Sequence, residues 1–168
     1  MIAASEANIE HIKKQLFYQV ISYDKVNQLR HVLYFKNVDG IKKHMLRQAE
    51  IVTPKFENVL KSLNKELAGK GIAEWAKPNG GYFISLNVYK GCAKRVVGLA
   101  KEAGLIMTGA GATYPYGKDP DDRNVRIAPT FPENEELKAA SELICICVQI
   151  AALEKIISEK SQTDVEVF

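Results

Sequence analysis

The apolar residues Ile41, Met45, Ala49, Val52, Phe56, Leu60, Leu63 and Leu67 recur in steps of three and four. That spacing keeps one side of an α-helix apolar for about seven turns at 3.6 residues per turn. The helix is expected to open near Asp39 and to stop at Gly69 or Gly71, where glycine accepts the left-handed backbone of a helix end. Pro54 falls inside it, removes one ladder bond and crowds the preceding turn, so a kink is expected. A long helix carrying a proline commonly bridges two lobes, although core packing accounts for each residue of the stripe taken singly. The other elements are placed around this one.

Ahead of it, Met1-Ile2-Ala3-Ala4 reads as the tail of a strand. Ser5 is placed to cap a first helix, with Glu6 favoured by the macrodipole and Ile9, Ile12 and Leu16 as its stripe. Asp24 caps a second, with Val26, Leu29 and Leu33. Behind the long helix, Ala73 to Lys77 and Tyr82 to Leu86 read as strands. Pro78-Asn79-Gly80-Gly81 between them signals a hairpin, because Asn-Gly tolerates the positive φ of a tight turn. A helix follows from about Cys92 to Ala103, stopped by Gly104. Pro132 and Glu133 open the last helix, whose apolar face includes Leu137, Ala140, Ile144, Val148, Ala151 and Ile157. From Ser158 onward the chain is polar and expected to fray.

Between these helices, LIMTGAGATYPYGKDPDDRNVRIAPTFP (Leu105 to Pro132) reads as strand, long loop, strand. Leu105, Ile106 and Met107 form the first apolar run. Val125 and Ile127 alternate with Asn124 and Arg126, which sets Arg126 on the face away from the core. The connection from Thr108 to Arg123 is too long for an ordinary hairpin, and loops of that length are functional or disordered. Its glycines, Lys118 and three aspartates offer little apolar surface, so it is expected to be mobile. An arginine on rigid backbone beside such a loop points to a carboxylate or phosphate clamp, since its planar fork matches both groups. A surface arginine near a loop is the competing reading. Three helices, two strands, a helix, two strands and a helix imply an α+β fold, with long bridging helices and a small mixed sheet covered by helices.

Composition narrows the function. The 168 residues suffice for one domain with a core, and 46% hydrophobic with 26% charged residues is globular composition. Net charge is +3, with basic and acidic residues interspersed, which argues against a nucleic-acid partner. No apolar run approaches membrane-span length, and the amino terminus lacks a signal-peptide pattern. Three cysteines without framework spacing point to a reduced, cytoplasmic protein.

Most chemical motifs fail. Gly109-Ala110-Gly111 lacks the third glycine and following helix of a dinucleotide fingerprint. Gly111 to Lys118 departs from a phosphate loop in glycine spacing, has Asp119 where a hydroxyl residue belongs, and is followed by Pro120. Cys145 and Cys147 face different directions on a helix and read as buried, inert thiols. His11, His31 and His44 lie on separate helices with no companion at ligand spacing. Arg126 alone has a placement that implies chemistry.

The run Lys77-Pro78-Asn79-Gly80-Gly81-Tyr82-Phe83-Ile84-Ser85 resembles the "P-x-G-G-Y/F-F" hairpin of class I aminotransferases, pyridoxal-phosphate enzymes of fold type I. Leu99 to Gly104 followed by LIMTGAGATYPYG resembles their "A-x-x-x-G-V…P-G…F-G" segment, and Asn124-Val125-Arg126-Ile127-Ala128 their "h-R-h-s" strand. GAGATYPYGKDPDDRNVRIAPTFP, SEANIEHIKKQL and DKVNQLRHV are similar to a bacterial aspartate aminotransferase subgroup. The resemblance implies part of an α/β, fold type I transferase, with residues 1–36 ending the cofactor domain. Residues 37–70 would then form a bridging helix, 71–158 the small domain, and 159–168 a frayed tail. It implies that Arg126, rather than Arg123, pairs with the α-carboxylate of amino-acid and 2-oxo acid substrates. Ala112, Thr113 and Tyr114 would border the substrate entrance.

The resemblance also implies what these residues lack. The family's Schiff-base lysine would fall upstream of Met1, with the phosphate cup, the aspartate on the pyridine nitrogen and the stacking aromatic. Lys13 and Lys14 do not substitute, because the helix stripe sets them in solvent. The expectation is a carboxyl-terminal fragment of an aspartate aminotransferase that is inactive alone, binds no pyridoxal phosphate by itself, and belongs to a homodimer with its large domain. A stand-alone binding or interaction module and the effector half of an aminotransferase-like regulator are the alternatives.

Overall fold

The computed structural model describes residues 2–165. The elements run α1 (Glu6–Gln19), α2 (Lys25–Phe35), α3 (Val38–Leu67), β1 (Ala73–Trp75), β2 (Ile84–Val88), α4 (Ala93–Glu102), a 3-10 turn (Pro115–Gly117), β3 (Asn124–Ile127) and α5 (Asn134–Val165). The chain divides into two compact units, Met1–Gln48 and Ala49–Phe168, with the boundary inside α3.

In the first unit Asp24 caps α2 as its sequence implies, accepting from the Asn27 N–H at 2.9 Å. Ser5 occupies the N-cap of α1 with extended backbone, but its hydroxyl makes no capping bond. Ile9, Ile12 and Leu16 are half-buried, whereas the expected α2 stripe of Val26, Leu29 and Leu33 is exposed. No described residue before Ala49 is buried, because single-layer helices do not enclose a core. An aromatic cluster joins α2 to the start of α3: His44 packs edge-on against Tyr34 and Phe35 at 5.7 and 5.3 Å. The expected strand tail at the amino terminus does not form over Ile2–Ala4, and Met1 lies outside the described residues.

The second unit holds the core. α3 buries Phe56, Val59, Leu63 and Leu67, while the earlier stripe residues Ile41 and Met45 are exposed. The helix is continuous through Pro54 and ends at Leu67, with Gly69 and Gly71 beyond it at positive φ. The sheet order is β1-β2-β3, and both pairings are antiparallel. Ile84, Leu86, Val88, Val125 and Ile127 line the face that meets buried side chains of α3, α4 and α5. The α+β expectation of long helices over a small sheet is what forms.

Several details differ from the sequence reading. Leu105–Met107 is not a strand, so the sheet has three strands and is antiparallel rather than mixed. Its apolar alternation is satisfied by packing instead of pairing: Leu105 and Met107 pack on the core and Ile106 faces solvent. The Leu105 N–H goes to the Ala100 carbonyl at 2.8 Å, finishing the turn of α4. The expected hairpin forms, but its connection is residues 76–83, longer than the Pro78–Gly81 turn. Only Gly81 takes a positive φ there, 88°, and β2 begins at Ile84 instead of Tyr82. α5 begins at Asn134 rather than Pro132, with the Glu133 carbonyl accepting its first bond from the Leu137 N–H at 2.8 Å, and the Lys55 ammonium takes the Thr130 and Pro132 carbonyls at 2.9 and 2.6 Å. It continues past Ser158 to Val165, and Ile157 is exposed rather than on the buried face.

The two units respond differently to truncation. Leu63→Ala should cost about 2–5 kcal/mol, since Leu63 is fully enclosed. Leu33→Ala, on the open side of α2, should change stability by less than about 0.5 kcal/mol. Urea midpoints followed by circular dichroism and by the fluorescence of Trp75, the single tryptophan, separate the two outcomes.

Candidate functional site

Antiparallel pairing sets Ser85 opposite Arg126 and Asn87 opposite Asn124. Because Leu86, Val88, Val125 and Ile127 take the core face, these four polar residues share the other. Arg126 is half-buried on this face, as its alternation implies. The Phe83 ring covers its guanidinium, with Cζ 4.4 Å from the ring centroid. Arg126 Nε is sealed from solvent and has no partner, and among the described residues no carboxylate forms an ion pair with Arg126. Both other arginines of this unit have a carboxylate within ion-pair distance, although Arg123 Nε is also sealed and without a partner. Arg95 forks onto Glu154 at 2.8 and 2.9 Å, and Arg123 reaches Glu74 at 3.7 Å. Arg126 therefore carries an uncompensated charge on rigid backbone, the arrangement that accepts an anionic ligand.

Asn124 organises the surroundings. It is buried, and its amide donates to Ser85 Oγ at 2.9 Å and to Asn87 Oδ1 at 2.7 Å. Its carbonyl oxygen accepts from the Thr113 hydroxyl at 2.7 Å. This brings Thr113 to the strand that carries Arg126. Ala112 and Tyr114 flank it on an exposed turn, and no hydrogen bond among the described residues ties either to Arg126.

The loop before β3 is held by polar bonds. Asp119 accepts from the N–H groups of Asp121, Arg123 and Asn124 at 3.1, 2.8 and 2.8 Å. Partial burial acts to raise its pKa, but these three bonds and the Arg123 charge outweigh that and hold it below the ordinary carboxylate value. Asp122, at φ 44°, caps α4 from outside: its carbonyl and carboxylate accept from the Ala93 and Lys94 N–H groups at 2.8 and 3.2 Å. A Cβ on Gly111 would run into the Gly117 carbonyl oxygen, so the loop closes on itself only with glycine there. The sequence reading missed Phe83, Asn124 and both aspartates as determinants. The Asp-Pro-Asp-Asp run carried a turn signal for the last two.

Other candidates carry no site. Cys92, Cys145 and Cys147 are buried and unbridged, and burial pushes the Cys145 thiol up to about 11. His11 and His31 are exposed, and no group of three His, Cys, Asp or Glu side chains among the described residues could hold a metal. A pyridoxal-type cofactor needs a buried amine of lowered pKa. No described lysine is buried, Lys55 is committed to carbonyls, and the Glu66 hydrogen bond raises rather than lowers Lys65. The described residues do not fit that group.

A family model described as "Aspartate amino-transferase" matches residues 1–160. The chain is 44% identical over 159 residues to a candidate aminotransferase of Mycolicibacterium smegmatis, covering 95% of this chain and 37% of that protein. It is 48% identical over 134 residues to an aspartate aminotransferase of Corynebacterium glutamicum, covering 80% and 31%. The crystal structure of an aspartate transaminase from Corynebacterium glutamicum superposes with a TM-score of 0.81 at 43% identity, over 90% of this chain and 36% of that one. The chain thus spans about a third of the length of the relatives it matches.

Asp119 gives the loop a pH signature. A carboxylate with a depressed folded pKa stabilises the fold above its ordinary value of 3.8, and that contribution disappears as pH falls through the lower folded value. Asp119→Asn should be less stable than the unaltered chain at neutral pH, and the difference should close on acidification. Urea midpoints from about pH 7 to about pH 2 measure it, and a gap that persists in acid would refute the role.

Proposed function

The chain belongs to the aspartate amino-transferase family, and from that premise we propose that it holds the substrate α-carboxylate through Arg126. Its α+β architecture is part of the fold type I arrangement of the solved aminotransferases. The observation that carries the proposal is the unpaired Arg126 guanidinium, fixed on a strand with its charge unanswered by any described carboxylate. A carboxylate docked there forms two parallel charge-assisted hydrogen bonds and is oriented as well as bound.

The complete enzyme is proposed to transfer an amino group between aspartate and a 2-oxo acid. The names of the Corynebacterium glutamicum relatives support that substrate class. Pyridoxal phosphate supplies the electron sink in that chemistry when bound. The amine that holds it and the groups that seat it are proposed to come from outside these residues, since the described ones do not fit it. Ala112, Thr113 and Tyr114 are proposed to border the substrate entrance, Thr113 through its bond to Asn124. Residues 1–36 would close the cofactor domain, 37–70 bridge, and 71–158 form the small domain ahead of a tail at 159–168. A cytoplasmic homodimer is the proposed assembly, and three unbridged cysteines suit that compartment. Among the described residues no helix is long and apolar enough to cross a membrane.

In the complete enzyme, Arg126→Ala should lower kcat/KM for amino-acid substrates by the equivalent of about 2–4 kcal/mol while cofactor binding is retained. An unchanged KM in that variant would remove Arg126 from the substrate site. The 168-residue chain alone, given pyridoxal phosphate, aspartate and a 2-oxo acid, should not exceed the rate of free cofactor. Stoichiometric borohydride trapping of cofactor at one lysine, together with turnover, would overturn the view that these residues lack the cofactor amine.

A further inference from the structure

Phe83 lies one residue before β2 and continues the face of Ser85 and Asn87. It is 46% exposed, so the core does not require it. Gly81, at φ 88°, and the Ala76 N–H bond to the Ser85 carbonyl at 3.0 Å hold the end of the loop that carries it. Its ring face sits 4.4 Å from Arg126 Cζ, well within the range at which a guanidinium is attracted to an aromatic face.

No other described group orients that guanidinium. Ser85 and Asn124, its neighbours on the sheet face, are engaged with each other, and Asn124 spends its remaining capacity on Asn87 and Thr113. Arg126 Nε is sealed and without a partner, whereas neither terminal nitrogen is sealed in this way. Docking through the sealed Nε is therefore closed, which leaves the two terminal nitrogens as the donors a carboxylate can meet. The ring occupies a face of the guanidinium, so the in-plane donors at that outer edge stay available.

We infer that Phe83 is a positioning residue for Arg126: its ring face fixes the guanidinium plane so that a carboxylate is taken end-on, across the two terminal nitrogens. This rests on the reading of Arg126 as a carboxylate clamp and names the contact that pre-sets it. A free arginine gives up rotamer freedom when it engages an acid; one already stacked gives up less.

The test uses the 168-residue chain, titrated with sodium acetate and with L-aspartate, and followed by the Arg126 side-chain N–H resonances in 15N-labelled protein. Phe83→Leu keeps an apolar side chain and removes the π face, whereas Phe83→Tyr keeps the face. Phe83→Leu should weaken acid binding about fivefold, the equivalent of about 1 kcal/mol, and abolish the ring-current displacement of the Arg126 Nε–H signal. Phe83→Tyr should preserve the displacement and bind within about twofold of the unaltered chain. Equal losses in the two variants would reduce Phe83 to packing, and an unaffected Phe83→Leu would overturn the inference while leaving the clamp standing. Arg126→Gln separates the two claims. If it binds acid as the unaltered chain does, or if the unaltered chain binds neither acid, the clamp reading itself falls.

Discussion

The register of β2 against β3 decides where every chemically useful side chain stands. Pairing Leu86 with Val125 and Ile84 with Ile127 seals four apolar residues against three helices. The same register places Ser85 opposite Arg126 and Asn87 opposite Asn124 on the open face. A slip of one residue would drive Arg126 into the core and expose Val125. Burying an unpaired guanidinium costs far more than the sheet gains from any single pair, so the core enforces the site.

Satisfaction of backbone donors does the same for the loop that precedes β3. The segment has few apolar side chains to anchor it, which made it look mobile in sequence. Its anchors are instead Asp119, which gathers three N–H groups, and Asp122, which supplies the α4 cap that Cys92 does not. Both aspartates fix the backbone immediately ahead of Arg126, and Thr113 bonds the loop to the same strand through Asn124.

Periodic burial was legible in the sequence and non-local pairing was not. The second half of the α3 stripe, the α4 boundaries and the outward placement of Arg126 follow from spacing alone, because a helix or strand with one buried face writes its period into the residues. Leu105–Met107 shows the limit. Its alternation is that of a strand, yet it packs against the core without a ladder, and one segment's pattern does not say whether a partner edge is free. Phe83 belongs to a recognisable motif, but its stacking depends on a loop conformation set by Gly81 and on a strand some forty residues away, which no local pattern reveals. The α2 stripe is apolar as its spacing implies and stands exposed, because amphipathicity states what a helix prefers and not what is present to meet it.

The arginines of the second unit show why a charge left open is informative. Arg95 is held by Glu154, which lies below its ordinary pKa because Arg95 bonds it, and both remain largely solvated. Such surface pairs contribute little and need no ligand. Arg123 leans on Glu74 at the sheet edge. Arg126 has neither a carboxylate among the described residues nor free access to water at Nε, yet it stands on a strand paired with β2. A fold selected for stability alone would place an acid beside it or an apolar residue in its stead. Phe83 lowers the cost without cancelling the charge, since an aromatic face attracts a cation but leaves its in-plane donors unused. What remains is a donor pair on a strand with no carboxylate among the described residues to answer it, and a carboxylate is the group whose geometry such a fork matches.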